Sequence, residues 1–184
     1  MSETPPSSAH ALYVDKDCNL KAIRNVPVPE LVDGEVVVKV LYSGVNSADV
    51  KHGPILGVRP TILGYDFCGR VAQSAPTSGF RVGDLVAVFT PTGVGKPSRY
   101  GAHQEYLSCP ENFMYKVPEN LPPTHAASLT TVAPTAADGL YNIGLPNSQY
   151  VRQAEESFED VAYLSSVLSP CGFPKALICL QGPG

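Results

Sequence analysis

The stretch that decides the fold is DFCGRVAQSAPTSGFRVGDLVAVFT, Asp66 to Thr90. Its two ends, Asp66 to Ser74 and Asp84 to Thr90, are short runs rich in β-branched and apolar residues. Between them Arg81-Val82-Gly83-Asp84 carries turn chemistry, so the spacing predicts two successive strands. Working outward, EVVVKVLYSGV (Glu35 to Val45) is β-branched and lies between Asp33-Gly34 and Asn46, which predicts a longer strand. YGAHQEYLS (Tyr100 to Ser108) alternates and reads as a fourth strand, and FMYKVP (Phe113 to Pro118) as a short fifth. PTGVGKPSRY (Pro91 to Tyr100) is rich in Gly and Pro and reads as a loop. Closely spaced strands with turn signals predict a barrel-like body.

The character changes at Leu121. PPTHAASLTTVAPTAADGLYNIG is rich in Ala and Leu and reads as helical, with Pro122 and Pro123 at a helix start and Pro134 dividing the run in two. Farther on, Val151, Ala154, Phe158, Val161, Leu164 and Leu168 recur at steps of three and four, the pattern of an amphipathic helix ended by Pro170 and Gly172. The chain then reads ALICLQGPG, Ala176 to Gly184: a buried-type strand at Ala176 to Leu180, followed by Gly182-x-Gly184. No internal repeat is present.

Composition excludes several functions. The 184 residues include 18 prolines and 16 glycines, which favours many turns over a helix bundle. The net charge is -4 and no basic run appears, against a nucleic-acid partner. No apolar stretch approaches the ~20 residues that span a bilayer. MSETPPSSAH lacks a signal pattern and reads as a disordered tail over 1–10, so the expected setting is cytoplasmic. The five cysteines form no Cys-x-x-Cys pair, as suits reduced thiols.

The order SGVNSADVKHG, LGYDFCGRV, VGDLVAVF, YGAHQEYLSCPENFMYKVPENLPPTHAASL, PTAADGLYNIGLP and a final apolar strand with Gly-x-Gly resembles the N-terminal, GroES-like catalytic domain of medium-chain dehydrogenases/reductases. The likeness runs from Ala11 to Pro146 and returns at Ala176 to Gly184. Within that superfamily the Asn-x-x-Asp-x-Lys pattern, LG-x-DF-x-G and GLP resemble the fungal trans-acting enoyl reductases of polyketide biosynthesis. The resemblance implies a mainly β fold with helices, of the α+β class: a GroES-like barrel at 11–146, an atypical linker at 147–175 and the opening of a nucleotide-binding domain at 176–184.

Zinc members of the superfamily hold a catalytic metal by Cys, His and Cys. By motif position those ligands fall on Asn46, Tyr65 and Thr131, none of them a thiolate or imidazole. Pro91 to Ser108 lacks the structural-zinc cysteine cluster. His52 and His103 have no partner at ligand spacing and read as surface or loop histidines. The expectation is a site without metal.

Without zinc, reduction of an enoyl thioester needs a nicotinamide hydride and a donor for the charge that develops on the carbonyl oxygen. The resemblance places Ala48, Asp49, Val50 and Lys51 beside the cofactor, NADPH. Lys51 reads as a contact to a cofactor phosphate or to substrate, or as a solvated helix lysine. Asp49 reads as a catalytic group or a helix cap, Asn46 as a catalytic group or a turn residue. Tyr65 reads as a tyrosine at a strand entrance with a wet hydroxyl, and Asp66 as a buried acid with a structural partner. The stretch departs from the family at Ser47, usually Pro, and at Ala48, often Ser. Thr135 is expected to open a helix as its cap and to meet the nicotinamide. Ala136, Ala137, Asp138, Gly139, Leu140, Tyr141, Asn142 and Ile143 match the helix that lines the substrate. Gly182 and Gly184 match the first half of a phosphate-binding turn, whose remainder would follow residue 184, so the 184-residue chain is expected to bind NADPH too weakly to saturate and not to reduce substrate by itself. The implied activity is enoyl reduction by a monomer in trans to a polyketide synthase, on a carrier-bound enoyl chain. A quinone oxidoreductase and a non-catalytic GroES-like binding module are the alternatives.

Overall fold

The computed structural model describes residues 5–142 and 176–179. The linker 147–175 and its expected helix, Ile143, Gly182 and Gly184 lie outside them. The elements run β1 (Ser8–Val14), β2 (Leu20–Pro27), β3 (Glu35–Val45), α1 (Ser47–Leu56), β4 (Thr61–Ile62), β5 (Asp66–Gln73), β6 (Leu85–Phe89), β7 (Tyr106–Pro110), β8 (Tyr115–Lys116), α2 (Pro123–Leu129), α3 (Val132–Asn142) and β9 (Ala176–Cys179). Short 3-10 turns precede β7 and β8 at Ser98–Tyr100 and Glu111–Phe113. The tail expected over 1–10 is too long, because β1 begins at Ser8 and pairs with β2.

Two antiparallel sheets form, one ordered β2-β1-β4 and one β7-β3-β5-β6-β8, with β9 also on β3. The second is built on the decisive stretch: β5 and β6 pair from Asp66↔Phe89 to Arg70↔Leu85. Their side chains alternate between two clusters, as period-two geometry requires. Phe67, Val86 and Val88 join Val36, Val38, Val40, Val71 and Leu107 in the larger core. Cys68 and Ala87 face the other way, toward Leu121, Ala126, Ala127 and Leu129. Small residues on that face let α2 lie close to the sheet. Gly44 marks the contact: a Cβ there would sit 2.7 Å from the Ala127 carbonyl oxygen.

The sheets do not close into a hydrogen-bonded barrel. Residues 102–105 run between them instead. Ala102 and His103 donate to the carbonyls of Gly64 and Leu63, at 2.9 and 2.8 Å, and Glu105 to that of His10, at 3.1 Å. The Glu105 carbonyl accepts from Val40 at 2.8 Å. The strand expected at Tyr100 to Ser108 is therefore displaced. Its first half bridges the sheets, and regular pairing with β3 covers Tyr106–Pro110.

Two more boundaries differ from expectation. The helix break falls at Thr130 and Thr131, and Pro134 sits inside the first turn of α3, where its missing N–H costs nothing. Ala176–Cys179 adds to the body sheet rather than to a parallel one: it pairs antiparallel with β3 from Val45↔Ala176 to Tyr42↔Cys179. β7 covers β3 only over Glu35 to Lys39. Val40 bonds the Glu105 carbonyl, and beyond it Tyr42 to Val45 leave an edge where an apolar strand satisfies its own backbone groups.

Candidate active site

The site lies where β3 ends, β5 begins and two helices start. Asn46 follows β3 and caps α1. Its backbone N–H donates to Asp49 Oδ2 at 2.7 Å. Its side-chain Nδ2 donates to Asp66 Oδ2 at 2.8 Å. The other oxygen of Asp66 accepts from the hydroxyls of Thr130 and Thr131, at the junction of α2 and α3. Asp66 is 1% exposed. Burial raises its pKa above the usual carboxylate range; the Thr130, Thr131 and Asn46 bonds oppose the rise, and the nearby Asp49 charge adds to it.

A second buried chain meets the first at Asp66. Ser43 Oγ donates to the Asp66 carbonyl at 3.1 Å and lies 2.6 Å from His103 Nδ1. Because Ser43 has one proton to give, the His103 Nδ1–H donates to Ser43. His103 Nε2 faces Asp49 Oδ2 at 3.3 Å, with Asp49 4% and His103 2% exposed. Gly64 makes room for this pair. Its φ is +99°, and a Cβ there would sit 2.7 Å from both the His103 backbone nitrogen and Nδ1.

The third arm is aromatic. The Tyr65 hydroxyl lies 2.5 Å from His52 Nδ1. The Tyr65 ring meets His52 edge-on, with centroids 5.5 Å apart, and stacks on Phe89 at 5.4 Å and 12°. Tyr65 is 7% and Phe89 41% exposed. Burial and then the Asp49 charge raise the Tyr65 pKa, so the phenol keeps its proton.

The expected residues separate into three groups. Asn46, Asp49, Tyr65 and Thr131 converge through Asp66 and its neighbours. Val50 and Lys51 stand exposed on α1, and Ala48 is half-buried beside them. Thr135 does not open α3. It is the fourth residue of the helix, and its hydroxyl donates back to the Thr131 carbonyl at 2.7 Å, a bond made within the first turn rather than a cap. Asp49 points inward, so its carboxylate is a cap and an ion-pair partner rather than a contact for cofactor phosphate. On α3, Ala136 is buried and Ala137 exposed. Asp138, Gly139, Leu140, Tyr141 and Asn142 belong to the same helix.

His103 is not a surface histidine, and Ser43 and Thr130 were not anticipated. Alternation is no guide here, because residues 101–104 are buried in succession between the two sheets. The Tyr65 hydroxyl, expected to be wet, is held by His52. Among the described residues no three His, Cys, Asp or Glu side chains gather as metal ligands, and no helix is long and apolar enough to cross a membrane.

Residues 32–119 match the model of the alcohol dehydrogenase GroES-like domain. This chain carries the GroES-like domain of the medium-chain dehydrogenase/reductase superfamily. A trans-enoyl reductase of Aspergillus sclerotiorum is 32% identical over 127 residues, 67% of this chain and 36% of that protein. A 2-methylene-furan-3-one reductase of Solanum lycopersicum is 27% identical over 143 residues, 72% of this chain and 36% of that protein. Among solved structures, an alcohol dehydrogenase superfamily protein of Novosphingobium aromaticivorans superposes with a TM-score of 0.66 at 28% identity, covering 74% of this chain and 42% of that one. A Coxiella burnetii quinone oxidoreductase gives 0.62 at 26%, covering 73% and 45%. The chain thus spans 36% to 45% of the length of these relatives.

Proposed function

We propose that this GroES-like domain is the catalytic part of a zinc-independent, NADPH-dependent enoyl reductase that acts in trans on a carrier-bound enoyl chain of a polyketide synthase. The observation that carries the reading is the hydrogen-bonded set at Asn46, Tyr65 and Thr131. Each of these positions, where zinc members place a ligand, engages a protein partner: Asp66 for Asn46 and Thr131, His52 for Tyr65. Amide and hydroxyl groups tied in this way do not suit Zn²⁺, which favours thiolate, imidazole and carboxylate. Named trans-enoyl reductases among the relatives favour the enoyl substrate and the synthase partner.

NADPH supplies the hydride when bound. The residues that fit it are those exposed near the two helix starts: Val50 and Lys51 on α1 and Thr135 on α3, with the Lys51 ammonium suited to a phosphate. Gly182 and Gly184 are proposed as the opening of its pyrophosphate turn. The exposed face of Phe89 and the face of α3 that carries Ala137 suit a flat acyl group. The buried thiols Cys68 and Cys109, whose pKa values burial pushes up to about 12, stay protonated and suit a reducing cytoplasm.

Turnover tests the reading. The full-length protein is supplied with NADPH and, separately, with an enoyl thioester and a benzoquinone. Preference for the thioester is the expected result. Preference for the quinone assigns a quinone oxidoreductase, and turnover of neither leaves a binding module.

A further inference from the structure

Reduction of a conjugated carbonyl, the reading above on which this inference rests, builds negative charge on the carbonyl oxygen. A site without a cation must offer that oxygen a hydrogen-bond donor. Most hydroxyl protons of the cluster are committed. Thr130 and Thr131 give theirs to Asp66, Ser43 gives its own to the Asp66 carbonyl, and Thr135 bonds the Thr131 carbonyl. Tyr65 differs. Its bond to His52 Nδ1 holds one proton. When the His52 N–H supplies it, the phenolic O–H remains to be given to a ligand.

One further observation points to a ligand beside Tyr65, the aromatic stack. Tyr65 lies parallel to Phe89, which is 41% exposed, so a flat conjugated group has a surface to rest on next to the hydroxyl.

We propose that the Tyr65 hydroxyl donates the hydrogen bond that polarises the carbonyl oxygen of a bound conjugated carbonyl compound, with His52 Nδ1–H holding the phenolic oxygen in place. No bond to carbon is made by Tyr65. The hydroxyl acts on the developing oxyanion. Its near burial strengthens the contact, because a hydrogen bond away from water is electrostatically stronger.

The probe is dimethylaminocinnamaldehyde, whose absorption moves to longer wavelength when its carbonyl oxygen accepts a hydrogen bond. The wild-type chain is expected to shift the absorption. Tyr65→Phe, which keeps the stack on Phe89, is expected to abolish the shift and weaken binding by about tenfold or less. Fluorotyrosine placed at position 65, a more acidic phenol of nearly the same shape, is expected to enlarge the shift and guards against a folding defect in the phenylalanine variant. Bound probe with an unchanged shift in Tyr65→Phe, or with no response to fluorotyrosine, overturns the proposal and leaves the reductase reading intact. A shift lost in Asn46→Ala but kept in Tyr65→Phe assigns the donor to Asn46 and also overturns it. Failure of the wild-type chain to bind the probe at all overturns both.

Discussion

The side-chain nitrogen of Asn46 lies 2.8 Å from Oδ2 of Asp66. That bond ties the start of α1 to the start of β5, and the hydroxyls of Thr130 and Thr131 bring the start of α3 to the other oxygen. A carboxyl group is therefore the organising centre of this cluster, and its partners are all donors. Negative charge at helix starts is also favoured by the backbone dipoles.

Asp66→Ala should therefore cost about 2–4 kcal/mol, because it strands three donors on two segments. Asp66→Asn should cost less, since one acceptor oxygen remains. Urea unfolding checks both, and a loss under about 0.5 kcal/mol for the alanine variant would show that the network contributes nothing net.

Glu35 gives the fold an acid limb. Arg99 Nη2 and Nε lie 2.9 and 3.1 Å from its two oxygens, Tyr100 donates at 2.5 Å, and Ser108 donates as well. Desolvation alone would raise its pKa, but these partners prevail and lower it from 4.5 to about 2. The folded value lies below the unfolded one, so the contribution is present above pH 4.5 and is lost as pH falls toward 2. It should amount to on the order of 2 kcal/mol. Asp66 works in the opposite sense: its raised pKa adds stability below 3.8 that is lost as pH rises through the folded value. Unfolding midpoints against pH should show the wild-type drop below pH 4.5 flattened in Glu35→Gln.

Gly64 should not tolerate a side chain. Its positive φ and the clash with His103 act together, so Gly64→Ala should cost about 3 kcal/mol or more. The same change should disturb the Tyr65 hydroxyl next to it. Thermal unfolding and the histidine ring resonances of His52 and His103 report the two effects separately.

Much of this architecture is legible in the sequence, because β-branched runs and turn residues are local signals. Strands β3, β5 and β6 fall within a residue or two of their expected limits. The convergence at Asp66 is less legible. Its partners come from positions 43, 46, 130 and 131, and only the tertiary fold brings them together. His103 shows the limit most clearly. In residues 101–104, packed between sheets, neither periodicity nor polarity distinguishes a buried histidine from a loop histidine. The displacement of β9 onto β3 has the same origin, since an apolar strand carries no mark of which edge it joins.

Lys51→Ala should leave stability within about 0.5 kcal/mol, as for most exposed positions, while weakening NADPH binding about tenfold. Cofactor titration beside urea unfolding checks the pair. An unchanged affinity would make Lys51 a solvated lysine of α1 with no part in cofactor binding.

The most direct test of a metal-free conjugated-carbonyl reductase is the fate of deuteride. The full-length protein is dialysed against a strong chelator, then given NADPH deuterated at its transferable position and an enoyl thioester, and the product is read by mass spectrometry and NMR. The expected product is a saturated thioester with one deuterium at the β-carbon, formed at the same rate before and after chelation. Deuterium at the carbonyl carbon, or activity that chelation removes and zinc restores, would contradict it.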